Sequence, residues 1–320
     1  MTEKTLFNRV GISIALYIAI AIGVQYLLSW IIGAFFPILY YKELTQWLLS
    51  LIPMYVVALP VSRAVLKTLP ERKLYQNEMR PGKWIQMFLI LMALMYIGNI
   101  IGTIITSVLG SGTGLDFTAP VEEMISGSNL LSVFVFSVLL APLVEEYLFR
   151  KLLIDRLIVT GDKTAIIVTS LIFAVMHGNI SQFCYTFAVG LALAYVYIRT
   201  GRMRYNVGLH MLFNFCGGFI PAVFMKYVDI DNLLNYALQG NLSGLLYYAG
   251  PLLGFMVYEL CMIAMGIAGL VLLVSKRRQI VLRQGELPLS AKEVAKQFFT
   301  TPGMLLWIVG GVVLFALNIG

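Results

Sequence analysis

The chain has 320 residues, of which 59% are hydrophobic and 12% are charged, and its formal net charge at pH 7 is +7. Its mean hydropathy is +0.85. Soluble domains carry about 25% charged residues, so the composition excludes an ordinary soluble protein. The positive charge lies between apolar segments, where it acts as a topology signal, so it predicts no nucleic-acid partner.

Nine apolar segments are predicted to cross a bilayer as helices, a crossing that takes about 20 residues. In chain order they are 10–32, 47–66, 84–108, 130–157, 164–179, 182–198, 205–226, 246–275 and 303–319. An arrangement with eight spans is the alternative. The first segment is too long and too apolar to be a cleaved signal peptide. Between the last two segments, the stretch SAKEVAKQFF predicts a helix on the membrane surface.

The basic residues are distributed unevenly between the loops. If nine spans alternate, 21 of the 23 lysines and arginines fall on one side, and only Lys42 and Lys226 fall on the other. Basic loops stay in the cytoplasm, so we expect a multi-pass protein of the cell membrane with a cytoplasmic N-terminus and an extracytoplasmic C-terminus. Because no internal repeat is visible, the predicted fold class over residues 1–320 is a single all-α domain, a polytopic transmembrane helical bundle.

A few ionisable residues lie inside the predicted spans, where each is costly and usually faces the bundle interior or a water-filled cavity. They include both histidines of the chain, and the set is Glu145, Glu146, Arg150, His177, His210 and Glu259. The combination is more informative than any single member. It predicts a functional site in the middle of the chain.

Helical spacing divides these residues into groups. Residues four apart share a helix face, so Glu146 is predicted to pair with Arg150, whereas Glu145 points about 100° away and has no such partner. His210 and Asn214 are also four apart. Pro142 lies one turn before Glu145 and is expected to disturb the helix there, because proline cannot donate a backbone hydrogen bond.

Such a set is suited to hydrolysis of a peptide bond by an activated water. A carboxylate in a low-dielectric site is a good general base towards water, and a nearby histidine orients that water. A second histidine and an asparagine supply donors for a developing oxyanion, each worth about 3–4 kcal/mol. The structural alternatives are an ion-pair clamp for Glu146 and Arg150, interhelical hydrogen bonds for the histidines and Asn214, and a buried carboxyl for Glu259.

Three motifs carry a resemblance to a known family. They are EEYLFR (145–150), FAVMH (173–177) and HMLFN (210–214), in that order and on separate predicted spans. With these the chain resembles the CPBP, or Abi, family of intramembrane proteases, which includes type II CAAX prenyl proteases and bacteriocin-processing proteins. The similarity covers about residues 130–220, which would form the catalytic core.

The resemblance implies roles for the motif residues. Glu145 and His177 would activate the hydrolytic water, His210 and Asn214 would form the oxyanion site, and Glu146 and Arg150 would support them. No metal or other cofactor is favoured, because the zinc-binding pattern HExxH does not occur. Zinc held by Glu145, His177 and His210 is the alternative, since two histidines and a glutamate make a catalytic zinc site with an open position.

The function expected from sequence is therefore that of a hydrolase, an intramembrane endopeptidase. Its partners would be the lipid bilayer and a membrane-associated or lipidated peptide or protein substrate. Two alternatives stay open. One is a non-catalytic scaffold or bacteriocin-immunity protein of the same family, and the other is a proton-coupled transporter, for which the inverted repeats common in transporters are not visible here.

Overall fold

The computed structural model describes residues 1–115 and 127–318, and the side chains of these except residues 230 and 231. The chain is 84% helical, with no strand in those ranges. This confirms the all-α fold class. Residue 319, the last of the ninth predicted span, lies outside the described residues.

Ten helices make up most of the described chain. They are α1 (Glu3–Phe35), α2 (Glu43–Leu66), α3 (Pro81–Thr113), α4 (Leu130–Thr160), α5 (Asp162–Met176), α6 (Ile180–Thr200), α7 (Met203–Tyr227), α8 (Leu242–Gln279), α9 (Ala291–Thr300) and α10 (Pro302–Ala316). Two short helices, Pro37–Tyr40 and Ile230–Leu238, lie in the connections after α1 and α7.

Seven of the described helices, α1 to α4 and α6 to α8, are long and apolar enough to cross a membrane. The pair α9 and α10, bent by 76° at their junction, makes an eighth candidate. Helix α5, which corresponds to the predicted span 164–179, has 15 residues and is about 22 Å long, shorter than the ~30 Å hydrocarbon layer. The protein is a polytopic helical bundle, as predicted.

The stretch SAKEVAKQFF forms a helix, α9, as predicted. Ser290 caps its N-terminus in a reciprocal arrangement, in which the Ser290 hydroxyl and the Glu293 carboxylate each accept a backbone N–H of the other residue. This capping box satisfies two backbone donors that the first helical turn leaves without partners. The sharp bend to α10 then follows at Thr301, which ends one helix and begins the next.

Helix α3 is the centre of one half of the bundle, with α6 and α8 packed along it. Glycines permit the close approach. A Cβ on Gly98 of α3 would overlap the backbone of Tyr185 in α6, and a Cβ on Gly269 of α8 would overlap the carbonyl group of Leu89 in α3. Small residues at such crossings are how membrane helices gain packing contacts where lipid offers no hydrophobic drive.

Helix α1 organises the other half, where α2 and α10 pack against it. Its buried side chains join those of α4, α5 and α6 in the larger of two apolar cores, and the second core lies between α3, α6, α7 and α8. Because α6 contributes to both cores, it joins the two halves. Helices α4, α5 and α7 meet beside it.

Several basic loops lie together at one end of the bundle. The backbone N–H of Arg72, after α2, donates to the carbonyl of Asp155 at 2.7 Å, and that of Asn77 donates to the carbonyl of Thr200 at 2.8 Å. In the segment after α8, the N–H of Leu287 donates to the carbonyl of Val159 at 2.9 Å. The sequence predicted these loops on one side of the membrane, and they are in direct contact.

Pro142 in α4 is flanked by π-helical turns. The regular segment Ala141–Glu146 lies between two π-helical segments, Phe134–Leu140 and Tyr147–Ile154. The N–H of Ala141 donates to the carbonyl of Phe136, five residues back. The disturbance expected at Pro142 therefore takes the form of wide turns, and wide turns of this kind are common at functional sites.

Candidate active site

The candidate site lies where α4, α5 and α7 meet. Glu145 and Glu146 end the short regular segment of α4, His177 directly follows the last residue of α5, and His210 and Asn214 lie on α7. The side chain of Glu146 is 0% exposed, whereas that of Glu145 is 22% exposed. Two adjacent carboxylates thus have different surroundings, and only Glu145 is partly exposed.

Glu146 accepts three hydrogen bonds in the protein interior. Arg150 Nε donates to its Oε2 at 3.0 Å, as the spacing predicted, and Asn206 Nδ2 donates to the same oxygen at 3.1 Å. His210 Nδ1 lies 3.0 Å from Oε1. The carboxylate is therefore ionised and held from two helices, since a buried charge persists only when paired and hydrogen-bonded.

These contacts fix the tautomer of His210. A carboxylate that already accepts from Arg150 can only accept from Nδ1, so Nδ1 carries a proton. The other ring nitrogen, Nε2, then faces Glu145, with 3.7 Å between Nε2 and Oε2. His210 therefore lies between the two neighbouring glutamates, bound to one and turned towards the other.

His177 is oriented by its own helix end. Its Nδ1 lies 2.8 Å from the carbonyl oxygen of Phe173, and because a carbonyl only accepts, this nitrogen also carries its proton and leaves a lone pair on Nε2. The Phe173 ring packs edge-on against both imidazoles, with centroid distances of 4.7 Å to His177 and 6.0 Å to His210. One aromatic side chain thus holds both histidine rings in place.

Three further groups lie near Glu145. One is His177, which also lies near His210. The other two come from the other half of the bundle and are Tyr17 of α1 and Tyr55 of α2. These two tyrosines were not predicted as part of the site, because both lie far before the motifs in the chain.

Asn214 is tied to α4. Its Nδ2 donates to the carbonyl oxygen of Ser137 at 2.9 Å, so the amide bridges α7 and α4 within the first π-helical segment. One amide hydrogen remains for another acceptor, since Nδ2 has two. Glu259, by contrast, faces α3, where Tyr96 Oη donates to its Oε2 at 3.4 Å.

Sequence reasoning missed Asn206. It is fully buried, and besides Glu146 it contacts the backbone oxygen of Leu193 at 2.6 Å. A signal was present, because Asn206 precedes His210 by four residues and so shares its helix face. The stretch NVGLHMLFN therefore has three polar residues on one face, at positions 206, 210 and 214.

No metal site of three ligands is formed by the described residues. Within residues 1–115 and 127–318, no three side chains of His, Cys, Asp or Glu lie close enough together to hold a metal ion. The zinc alternative therefore finds no ligand set there, and the metal-free site stays a prediction.

Fold and site together define a polytopic helical membrane protein with a carboxylate and two imidazoles inside its bundle. Residues 127–216, which contain all three motifs, match the family model described as Type II CAAX prenyl endopeptidase Rce1-like. The resemblance predicted from the motifs is thus confirmed for this segment.

Two curated proteins are similar to part of the chain. The membrane-embedded CAAX protease MroQ of Staphylococcus aureus (strain USA300) is 27% identical over 150 residues, which cover 44% of this chain and 58% of that protein. The putative membrane peptidase YdiL of Bacillus subtilis (strain 168) is 26% identical over 145 residues, covering 44% and 54%. The chain spans a little over half the length of these relatives. No solved structure matches it.

Proposed function

We propose that this chain is a membrane-embedded protease that hydrolyses a peptide bond in a membrane-associated or lipidated substrate. The match of residues 127–216 to a CAAX endopeptidase family supports the reaction class, as do the names of the two curated relatives. The observation that carries the proposal is the 3.7 Å approach of His210 Nε2 to Glu145 Oε2 inside the bundle.

Glu145 is the general base in this mechanism. Its carboxylate is the partly exposed one of the pair, and it takes a proton from a water molecule as the water oxygen attacks the substrate carbonyl carbon. His177 accepts a hydrogen bond from the same water through the lone pair on Nε2 and so aligns it. The proton held by Glu145 then passes to the leaving amine as the carbon–nitrogen bond breaks.

His210 and Asn214 stabilise the oxyanion. For Nε2 of His210 to donate, the ring must carry protons on both nitrogens, because Nδ1 already donates to Glu146. Two carboxylates lie beside the ring, with Glu146 Oε1 3.0 Å from Nδ1 and Glu145 Oε2 3.7 Å from Nε2. The second amide hydrogen of Asn214 adds another donor one helical turn away, and oriented donors of this kind are usually the largest catalytic term.

The test is cleavage of a quenched-fluorescence peptide library, including lipidated peptides, by the full chain in detergent. We expect Glu145→Gln to abolish cleavage. Glu259→Gln is the control and should leave cleavage intact, because the Glu259 carboxyl contacts Tyr96 and takes no part in the site. Cleavage should survive a strong zinc chelator. Loss of wild-type cleavage under chelation would contradict the metal-free mechanism, and absence of cleavage of every substrate would support the scaffold alternative.

A further inference from the structure

Asn206 lies behind the candidate site and has no place in its motifs. Its Nδ2 donates to Glu146 Oε2 at 3.1 Å and to the carbonyl oxygen of Leu193 on α6 at 2.6 Å. Both partners only accept, so the amide nitrogen must occupy this position, and a flipped amide would place its oxygen against two other oxygens. The orientation of the side chain is therefore determined by chemistry.

Glu146 depends on this donor. Among the described residues, Nη1 and Nη2 of Arg150 have no hydrogen-bond partner, so the arginine contributes a single hydrogen bond through Nε. Asn206 supplies the second bond to the same oxygen, and it is attached to the α6 backbone at the same time. Glu146 Oε1 is thereby left in position for Nδ1 of His210, at 3.0 Å.

We infer that Asn206 is a positioning residue for His210 that acts through Glu146. By holding the carboxylate against α6, it keeps the imidazole turned so that Nε2 faces Glu145. The expected effect on kcat rests on the proposed function, whereas the contacts among Asn206, Glu146 and His210 do not depend on it. A position held in advance costs no reorganisation in the transition state, so loss of Asn206 should lower kcat and leave KM nearly unchanged.

Two substitutions separate positioning from simple packing. Asn206→Leu keeps the number and branching of the side-chain heavy atoms and removes both N–H donors. We expect a fall in kcat of about tenfold to a hundredfold, the equivalent of one hydrogen bond to a charged group. Thr169→Val on α5 is the matched control, because its buried hydroxyl bonds only to the backbone of its own helix, and kcat should not change.

The Asn206→Asp variant tests the same positioning role if the leucine variant folds poorly. The ionisable group in contact with this position is Glu146, which itself binds Arg150 and His210. While protonated, the new carboxyl retains one donor for Glu146, and once ionised it repels that carboxylate. As the pH is raised, we therefore expect the activity of this variant to fall at a lower pH than the activity of the wild type. A merely structural role would leave the pH profile of the folded protein unchanged.

The geometry is tested without any substrate. The chain has two histidines, so ¹⁵N-histidine NMR of full-length His177→Gln in detergent observes His210 alone. We expect a hydrogen-bonded Nδ1–H signal, and adding Asn206→Leu should shift it and speed its exchange with solvent. An unchanged signal and unchanged kcat in the folded leucine variant would overturn the inference. A wild type without proteolysis would instead overturn the proposed function, and the NMR result would still decide the role of Asn206.

Discussion

Glu146 and Arg150 form an ion pair with 0% exposure of both side chains, and the separation of Nε from Oε2 is 3.0 Å. Replacing one partner leaves the other charge buried without compensation. The change Glu146→Gln keeps the shape, removes the negative charge and replaces one of two acceptor oxygens by an NH2 group. It leaves the Arg150 charge without its counterion, and the Arg150→Met variant leaves the Glu146 charge without its own.

The expected cost is large because the charge left behind has few other partners. Breaking a buried pair typically costs about 3–5 kcal/mol. Arg150 has no other hydrogen bond among the described residues. Its guanidinium lies 5.1 Å from the centre of the Phe173 ring, a cation–π contact worth about 0.5–2 kcal/mol that survives in the mutant. We therefore expect Glu146→Gln to destabilise the protein by about 3 kcal/mol.

The double variant Glu146→Gln/Arg150→Met should cost clearly less than the sum of the two single changes, because no buried charge is left without a partner. Reversible unfolding in mixed detergent and sodium dodecyl sulfate micelles, followed by tryptophan fluorescence, measures all three variants. The exposed pair Arg72 and Glu286, at 53% and 63% side-chain exposure, provides the control. Glu286→Gln should have almost no effect, as is usual for surface ion pairs.

Single variants as stable as the control would refute this reasoning, and so would a double variant whose cost equals the sum. Either result would mean that the interior around Glu146 is hydrated enough to screen the pair.

Four further predictions follow from the same structure. His177→Gln should abolish cleavage at unchanged unfolding midpoint, and lost stability would instead indicate a structural histidine. Asn214→Leu should lower kcat by about a hundredfold or more if it is an oxyanion donor, whereas an unchanged kcat would remove it from the site. Gly269→Ala should destabilise the folded protein by about 1–3 kcal/mol through overpacking against Leu89. Gly23→Ala is the control without such a cost, because a Cβ there meets nothing within 4 Å, and equal effects of the two variants would contradict the close packing. Alkaline phosphatase fused after the last residue should be active, because the predicted C-terminus is extracytoplasmic. If this fusion is inactive and a separate fusion to green fluorescent protein is fluorescent, the chain crosses the membrane an even number of times.

Local features were predictable from sequence because they depend on a few neighbouring residues. The ion pair between Glu146 and Arg150 follows from the rise and twist of one helix, and it was confirmed. The α9 helix follows from its capping residues and charge pattern. The three motifs also identified a segment that matches a protease family.

Other features depend on which helix faces meet, and no local pattern encodes this. The hydrogen bond between Glu146 and His210 joins residues 64 positions apart, and that between Ser137 and Asn214 joins residues 77 apart. The role of Glu146 as a support for His210, and of Asn206 as a support for Glu146, appeared only with those contacts. The roles proposed for Glu145, His177, His210 and Asn214 in catalysis stay predictions.

The sequence by itself determined that this protein resides in a lipid bilayer and roughly where its long helices lie, because the energy of placing a side chain in lipid depends mainly on its own chemistry. It also identified the ionisable residues inside the spans, whose free-energy cost in lipid indicates a functional or structural role. Only the tertiary structure decided that α9 and α10 are bent at their junction, and that Nδ1 of each histidine contacts a fixed partner, Phe173 for His177 and Glu146 for His210. These outcomes arise from packing between distant segments, where glycine contacts and buried hydrogen bonds select one arrangement of the helices.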